Sequence, residues 1–355
     1  MAASASQRME GLNLSFSGAW LTKLILVKME NHSTLQIAQM TQMETGNTVL
    51  KILIIFTLVS FILSAHTNYT IAQVEGNEQQ DEWNPISIGP ATTWTASLCG
   101  KGEFVIQPFF FYSMARGMFD TEGNYDSLPG GDKEHQFQQQ LFAQYGITDR
   151  LEIDGQLIYQ ENFAKQDGSR ANSHGYGDSY LFLRHCIVEE KGWLPHITGL
   201  FQLKLPTGKY QHADPDKLET DLMGTGSYDH GYGFILSKRI KPFKLHADAT
   251  YSFTEEVRVD GVKTNYGNYL NYDFGIDYFL PKGFDLLFEI NGFLQGDKEE
   301  DGAKIPASDS NSLTSTTGVS WSNGKLQTLL GYQRAQIGTN ADANDAVVFT
   351  LIYPF

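Results

Sequence analysis

Apolar and polar residues alternate along most of the chain from residue 104 to the carboxyl terminus. The segment 243–256 is typical, because Phe243, Leu245 and Tyr251 occupy one parity while Lys244 and His246 occupy the other. Residues two apart lie on the same face of a strand, so each such segment predicts a strand with one apolar and one polar face. The twelve predicted strands are 104–112, 135–146, 150–162, 177–189, 195–205, 227–239, 243–256, 266–280, 284–296, 311–322, 325–336 and the terminal segment 347–355.

The connections between these strands alternate between short and long. The short ones are 146–150, 190–195, 239–242, 280–283 and 322–324. The long ones are 113–134, 163–176, 206–226, 257–265, 297–310 and 337–345. Such sorting is typical of outer-membrane barrels, which have short periplasmic turns and long extracellular loops, and about ten tilted strand residues cross a bilayer. We therefore predict an all-β fold, an antiparallel transmembrane β-barrel of about 12 strands over residues 104–355.

The chain ends in a strand whose outward parity is apolar up to its last residue. An aromatic terminal residue suits a strand that ends where lipid meets water. The pattern resembles the carboxyl-terminal insertion signal of bacterial outer-membrane barrels, which implies the barrel-assembly machinery and outer-membrane lipid as partners. The alternative is an ordinary edge strand. The predicted signal residues are Phe349, Leu351, Tyr353 and Phe355.

The residues before the barrel divide into three segments. Residues 52–65 are a short apolar run preceded by Lys51, as in a secretory signal peptide, which we assign to residues 43–72; the alternative is an uncleaved anchor. Residues 1–42 are then an over-long reading of the gene or an N-terminal extension. Residues 73–103 are polar and rich in turn formers, and we predict that they form a periplasmic lead-in to the barrel.

Composition restricts the partners and the class of membrane protein. The net charge of −15 and the pI of about 5.0 argue against nucleic acid as a partner. The mean hydropathy of −0.29 argues against a helical membrane protein. A barrel is compatible with that average because only alternate strand residues face lipid.

The polar faces of the predicted strands contain charged residues that would line the lumen. These side chains could surround a polar pore, or they could pair with one another and only stabilise the interior. The candidates are Glu152, Asp154, Arg184, Lys204, His246, Asp248, Asp273, Asp277 and Glu289.

No motif in the sequence predicts catalysis, a metal site or a cofactor. Ser179, His185 and His230 are scattered over different strands without a surrounding motif, so we predict that the protein is not an enzyme. The acidic loop 206–226 lacks the spacing of an EF-hand, so a solvated loop is favoured over a calcium site.

Cys186 has lumen parity towards the periplasmic end of the fourth predicted strand, and Cys99 lies just before the first strand on the same side. A disulfide between them would tether the lead-in to the wall, and an exported protein sits where such bonds persist. The alternative is two free thiols.

Three stretches, 145–154, 175–187 and 205–238, resemble a family named for the meta pathway of phenol degradation. The most specific part is Pro-Thr-Gly-Lys from Pro206, followed by Gly-Thr-Gly-Ser-Tyr-Asp from Gly224. The resemblance implies an outer-membrane barrel that acts as a transporter. It implies no particular substrate-binding residue. Glycines 208, 224 and 226 are expected to turn the loop and to permit close backbone approach.

Together these observations predict a channel or transporter-like barrel in the outer membrane of a Gram-negative cell, exported by a cleaved signal peptide. Aromatic residues with lumen parity would suit a small hydrophobic or aromatic solute, or they could serve only to pack the interior. One alternative is a surface barrel whose loops bind a partner, and another is a lipid-modifying enzyme. The aromatic lumen candidates are Phe109, Phe111, Tyr180, Phe182, Tyr269 and Phe293.

Overall fold

The computed structural model describes residues 89–355. The predicted extension 1–42, the signal peptide 43–72 and the first part of the lead-in lie outside the described residues. In chain order the strands are β1 Phe104–Phe119, β2 Tyr125–Ser127, β3 Lys133–Thr148, β4 Leu151–Gln166, β5 Ser169–Tyr176, β6 Ser179–Val188, β7 His196–Leu205, β8 Asp229–Ile240, β9 Phe243–Thr254, β10 Val257–Val259, β11 Val262–Asn265, β12 Tyr269–Phe279, β13 Phe284–Gln295, β14 Glu299–Glu300, β15 Ala303–Lys304, β16 Ser310–Ser322, β17 Gln327–Thr339 and β18 Ala341–Pro354. Short 3-10 turns lie at Pro215–Lys217 and Pro281–Gly283.

Twelve of these strands form a closed antiparallel barrel, as the alternation of residues predicts. The last strand closes it, because β18 pairs with β1 from Val105 opposite Pro354 to Phe119 opposite Ala341. A closed barrel gives every strand two neighbours and leaves no open sheet edge. The barrel order is β1, β3, β4, β6, β7, β8, β9, β12, β13, β16, β17 and β18.

The outer surface of the barrel is apolar and the inner surface is mixed. On β9, Tyr251 and Phe253 are 44% and 42% exposed, while Lys244, His246 and Asp248 are buried. The exposed parity therefore forms an apolar belt, as expected for a wall that faces lipid. In residues 89–355, no helix is both long enough and apolar enough to cross a membrane, a finding that does not bear on spanning by strands.

The two ends of the barrel differ in the length of the connections between strands. At the turn end, short connections join the strands at 149–150, 189–195, 241–242, 280–283 and 323–326. At the loop end, the connections are longer and partly structured, apart from the turn between β17 and β18. Strands β10, β11, β14 and β15 form a separate four-stranded sheet there.

The prediction of a long loop over 337–345 is wrong. Strand β17 continues to Thr339 and β18 begins at Ala341, so Asn340 alone makes the turn, with φ 48°. Thr339 pairs with Asn311 and Ala341 pairs with Phe119. Around Asn340, the residues on both faces of these strands are mostly polar or small. The alternation of apolar and polar residues that reveals a strand in the sequence is therefore lost. The predicted loop 163–176 is likewise a hairpin, formed by the end of β4 and by β5.

Residues 89–103 enter the barrel at the turn end, and we call residues 89–99 the plug. Ala91 and Ala96 are 2% and 0% exposed. Ala96 packs in a buried cluster with Phe142 and Phe182 of the inner wall, and Ala91 packs with Leu287. The predicted periplasmic lead-in therefore lies inside the barrel over these residues, where inward apolar side chains offer it a dry surface.

Candidate functional site

Glu289 on β13 holds the first part of the plug. Its carboxylate accepts hydrogen bonds from the backbone N–H groups of Ala91, Thr92 and Thr93, the last two at 3.0 Å. The hydroxyls of Thr92 and Thr93 donate to the same carboxylate at 2.6 and 3.1 Å. Glu289 is fully buried, and charged acceptors form strong hydrogen bonds where water is excluded.

The rest of the plug is held in the same way, by wall side chains that bind its backbone. The N–H of Trp94 donates to Asp248 on β9 at 3.0 Å. The N–H of Ala96 donates to the Ser237 hydroxyl at 2.9 Å, and the Ala96 carbonyl accepts from Thr198 at 2.6 Å. Because these contacts use backbone atoms of the plug, its path is set by the positions of the wall side chains.

A buried cluster of one base and two acids anchors the end of the plug. Arg184 on β6 contacts Glu152 and donates to Asp154 at 2.9 Å, and both acids lie on β4. Arg184 also donates to the Thr95 carbonyl at 3.0 Å, and Glu152 accepts from the N–H of Cys99. One guanidinium thus bridges the two acids and fastens the plug to the wall.

The guanidinium of Arg184 also lies over an aromatic ring of the plug. Its Cζ is 5.1 Å from the ring centroid of Trp94, a distance at which a cation is attracted to an aromatic face. Trp94 further packs edge-on against Phe182 and Phe142, with centroid distances of 5.0 and 5.5 Å. Trp94 is therefore the side chain that anchors the plug in the lumen.

The structure buries eight of the nine predicted lumen charges and half-buries Asp273. Four of them, Glu152, Arg184, Asp248 and Glu289, bind the plug directly. The sequence predicts that these charges either line a pore or pair with one another. It does not predict that they bind a segment of the chain itself. The other four buried charges are Asp154, Lys204, His246 and Asp277.

His246 lies in a row with a serine and an acid that resembles a catalytic arrangement. Ser237 Oγ and His246 Nδ1 are 2.9 Å apart, and His246 Nε2 and Asp277 Oδ2 are 3.2 Å apart. In a hydrolytic triad, Nε2 faces the serine and Nδ1 faces the acid, which is the reverse of this geometry. Ser237 is also covered by the plug N–H of Ala96, so the row positions the plug.

A cavity of about 780 Å³ lies beside the plug inside the barrel. Aromatic side chains form much of its wall, and among them are Trp94 of the plug and all six predicted aromatic lumen residues. Phe109 and Phe111 stack with centroids 5.9 Å apart, and Tyr180 stacks on Phe182 at 6.0 Å.

The polar part of the cavity wall is formed by side-chain amides. Gln156 donates to Gln140 at 2.7 Å, Gln140 donates to Gln138 at 2.7 Å, and Gln138 donates to Gln160 at 3.1 Å. This chain of hydrogen bonds follows the inner faces of β3 and β4. Farther round the wall, Asn291 donates to Asp273 at 2.9 Å, and both residues line the cavity. The cavity can therefore accept an apolar ring on one side and a hydrogen-bonding group on the other.

A loop at the other end of the barrel closes over the interior. Asn162 on the inner wall donates to the Thr220 carbonyl at 2.9 Å, and Met223 is buried. The two glycine motifs that flank this loop meet. A Cβ on Gly208 would lie 2.8 Å from the Gly224 Cα, which is closer than any side chain permits. The predicted close backbone approach is therefore present.

Asp178 joins the two motifs. Its carboxylate accepts from the N–H of Gly208 at 3.0 Å and from the N–H of Thr225 at 2.9 Å. Lys204, the remaining predicted lumen cation, donates to the Thr225 hydroxyl at 2.7 Å and forms a buried ion pair with Asp229. The predicted lumen residue Lys204 thus supports the loop.

The family model described as "Putative MetA-pathway of phenol degradation" matches residues 170–351, more than half of the chain. The chain belongs to this family. The matched region begins in β5 and includes both glycine motifs, so membership in the phenol meta-pathway family confirms the resemblance noted in the sequence.

Solved structures that are similar to this chain include an outer-membrane channel. An outer membrane channel from Pseudomonas putida F1 is 14% identical and superposes with a TM-score of 0.63, covering 76% of this chain and 100% of the other. The translocator domain of the autotransporter NalP from Neisseria meningitidis is 13% identical with a TM-score of 0.40, covering 72% and 90% of the two chains. The first match supports the barrel fold. No curated protein sequence matches the chain.

In this member of the phenol meta-pathway family Cys99 and Cys186 are both free thiols, which is the second of the two possibilities that the sequence left open. The plug backbone directs Cys99 to Glu152 instead. Burial, together with the adjacent negative charge of Glu152, raises the pKa of the Cys99 thiol. Cys186 is buried beside a bulge in the pairing of β6 and β7.

The predicted insertion signal occupies the outward parity of β18. Phe349 packs against Phe110 of β1 with ring centroids 6.3 Å apart, and Tyr353 packs edge-on against Phe355 at 4.9 Å. The N–H of Phe355 donates to the Phe104 carbonyl at 2.8 Å. The terminal residues thus lie at the seam where the barrel closes.

The plug residues were missed because they have no strand period. One signal was present in the sequence, since residues 89–98 contain no charged residue whereas the preceding residues are acidic. An uncharged segment with a tryptophan indicates burial. Among residues 89–355, no group of three or more His, Cys, Asp or Glu side chains is arranged to hold a metal ion.

Proposed function

We propose that the protein is an outer-membrane channel for a small hydrophobic or aromatic solute, which binds in the cavity beside the plug. The observation that carries this proposal is the wall of the cavity, where eight aromatic side chains face a chain of glutamine amides. The family description and the channel from Pseudomonas putida F1 agree with a role in transport. In this proposal the turn end faces the periplasm.

The size and chemistry of the cavity favour a small aromatic molecule. Its volume of about 780 Å³ lies in the range of ordinary small-molecule sites, which span roughly 300–1,000 Å³. Aromatic walls contribute through burial and through edge-to-face ring contacts. The amide groups of Gln138, Gln140 and Gln156 favour a solute with a neutral hydrogen-bonding group over a pure hydrocarbon.

The plug makes this a gated channel. Its buried hydrogen bonds to Glu289, Asp248 and Glu152 close the lumen at the turn end, so solute that enters the cavity leaves toward the periplasm only when the plug moves. We therefore expect a low conductance in the resting state. Export by the signal peptide 43–72 and insertion by the barrel-assembly machinery are parts of the same proposal.

The alternative of a surface barrel is favoured by one observation, the separate four-stranded sheet at the loop end. Such a protein would bind a macromolecule there and would not bind solute in the lumen. A lipid-modifying enzyme would instead require an accessible nucleophile, which a lipid hydrolysis assay tests directly.

Trp94 provides a direct test because its indole ring lines the cavity. Titration of the purified barrel with phenol-type solutes is expected to change the Trp94 fluorescence in a saturable way. Phe109→Ala should weaken solute binding by about tenfold, since it removes one aromatic ring of the cavity wall, whose contact with the solute contributes about 1.5 kcal/mol. Phe110→Ala is the matched control, because the neighbouring ring packs against Phe349 on the outer face.

Solute flux into liposomes and conductance in planar bilayers complete the test. A folded barrel that shows no saturable binding and no passage of phenols, fatty acids or sugars would contradict the channel proposal. Equal loss of binding in the two phenylalanine variants would show that the solute does not occupy the cavity.

A further inference from the structure

Each connection at the turn end carries one exposed basic side chain. Because the connections follow one another around the barrel, these charges form a ring at its rim. One further exposed lysine, Lys101, precedes β1 at the same end. The basic residues of the five turns are Arg150, Lys191, Lys241, Lys282 and Lys325.

One half of this ring contains no acid. The turns 241–242, 280–283 and 323–326 have the sequences KP, LPKG and NGKL, so each contributes a lysine and no carboxylate. They join β8 to β9, β12 to β13 and β16 to β17, which are consecutive pairs around the barrel. We call Lys241, Lys282 and Lys325 the lysine arc. On the other half, the exposed acids Asp149 and Glu189 accompany Arg150 and Lys191.

The apolar outer wall extends up to the lysine arc. Ile240 and Phe243 flank the first of these turns and are 52% and 40% exposed. Phe284 follows the second turn and lies opposite Trp321 in the adjacent strand. The arc therefore combines an apolar, partly aromatic surface with a row of cations at its edge, which is the arrangement of side chains at a membrane–water interface.

The loop end has the opposite charge. The connections 206–228, 255–268 and 296–309 contain four, three and five acidic residues, against two basic residues each. Attraction to anionic headgroups is therefore restricted to the turn end. The charge asymmetry along the barrel axis distinguishes one leaflet from the other.

We propose that the lysine arc binds the phosphate headgroups of anionic glycerophospholipids in the leaflet that surrounds the turn end. This inference rests on the proposed membrane location, but it does not depend on solute transport. A lipid is favoured over a soluble acidic polymer because the lysines lie directly beside exposed Ile240, Phe243 and Phe284, which would contact acyl chains. A soluble polymer would have no use for that apolar surface.

Quenching of Trp321 by brominated lipids tests the proposal. The barrel, carrying Trp193→Phe to remove the exposed turn tryptophan, is reconstituted in phosphatidylcholine with brominated phosphatidylglycerol or with brominated phosphatidylcholine. The arc variant is Lys241→Gln/Lys282→Gln/Lys325→Gln. The matched control is Lys133→Gln/Lys263→Gln/Lys304→Gln, which removes three exposed lysines from the loop end.

Phosphatidylglycerol is expected to quench with an apparent association constant about fivefold above that of phosphatidylcholine, since one lysine near an anionic surface adds roughly that factor. The ratio should fall to about one in the arc variant and in high salt, and it should stay unchanged in the control. Equal quenching by the two lipids in the parent protein would overturn the proposal and leave an acidic polymer as the remaining partner. A preference that survives high salt would overturn the role of the lysine charges.

Two further measurements keep the result interpretable. Heat-modifiable migration in gel electrophoresis checks that the arc variant is folded, and the salt series on the parent protein replaces it if it is not. Solute titration at Trp94 should be unaffected in the arc variant. Loss of lipid preference with intact solute binding separates this inference from the proposed function.

Discussion

The carboxylate of Glu289 accepts the backbone N–H of Thr93 at 3.0 Å, across 196 positions of sequence. A residue in the middle of the wall thereby holds a segment that precedes the first strand. The same carboxylate binds Ala91 and Thr92, so a single side chain secures three consecutive peptide groups. The position of the plug therefore depends strongly on this one acceptor.

Glu289→Ala should loosen the plug. The change leaves three buried N–H groups and two hydroxyls without their acceptor, and each unsatisfied group costs about 1–3 kcal/mol. We expect a higher open probability in planar bilayers with the barrel still folded. Asp229→Asn is the control, because Asp229 is an equally buried acid that pairs with Lys204 of the wall. Equal opening in both variants would show that plug contacts do not set the closed state.

Gly226→Ala should destabilise the barrel by more than backbone strain alone. Gly226 has φ +79°, and an added Cβ would overlap the ring of Tyr210. Gly168→Ala is a matched control, because Gly168 has φ +85° with nothing within 4 Å of the added Cβ. The strain common to both is about 1 kcal/mol. The midpoint of heat-modifiable unfolding should fall more in Gly226→Ala, and equal shifts would contradict the steric argument.

Glu190 should make stability depend on pH. Burial raises its pKa, but hydrogen bonds from Lys238 Nζ and from the backbone N and Nε of Arg239, at 2.8–3.0 Å, outweigh burial and lower the pKa overall. A carboxyl with a lowered folded-state pKa stabilises the protein above its unfolded pKa, and the contribution is lost as pH falls through the folded pKa.

The corresponding measurement compares Glu190→Gln with the parent protein across pH. We expect Glu190→Gln to unfold at a lower temperature at neutral pH, with the difference vanishing in acid below the ordinary glutamate pKa of about 4.3. Glu189→Gln is the control, since the Glu189 side chain is 71% exposed and lies 3.9 Å from Arg150. A difference that persists unchanged in acid would rule out the charge of Glu190 as its cause.

Phe355→Ala should reduce assembly more than stability. The ring is 70% exposed and contacts Tyr353 and Phe104, so its removal loses little buried area. If the terminal aromatic residue is an insertion signal, the amount of folded barrel in the membrane should fall several-fold while the unfolding midpoint stays the same. Phe104→Ala removes the neighbouring ring without altering the terminus and serves as the control.

The fold could be predicted because each barrel strand has a recognisable local pattern of apolar and polar residues. One face of each strand contacts lipid and the other faces the barrel interior, so apolar residues such as Tyr251 alternate with polar residues such as Lys244. This alternation is visible without knowledge of any partner strand. The prediction was wrong at 337–345, where strands β17 and β18 leave the region of apolar contact. There the strands are maintained by the pairing of Thr339 with Asn311 and of Ala341 with Phe119. This pairing leaves no periodic pattern in the local sequence.

The candidate site was only partly predictable. The sequence determined by itself which side chains face inward, from Glu152 to Glu289, and which aromatic residues join them, because strand parity is a local property. Tertiary structure alone decided that residues 89–99 fill the lumen and take those carboxylates as backbone acceptors. Hydrogen-bond partners such as Ala91 and Glu289, which are 198 positions apart, have no sequence period, since their proximity arises only when β18 closes the barrel on β1.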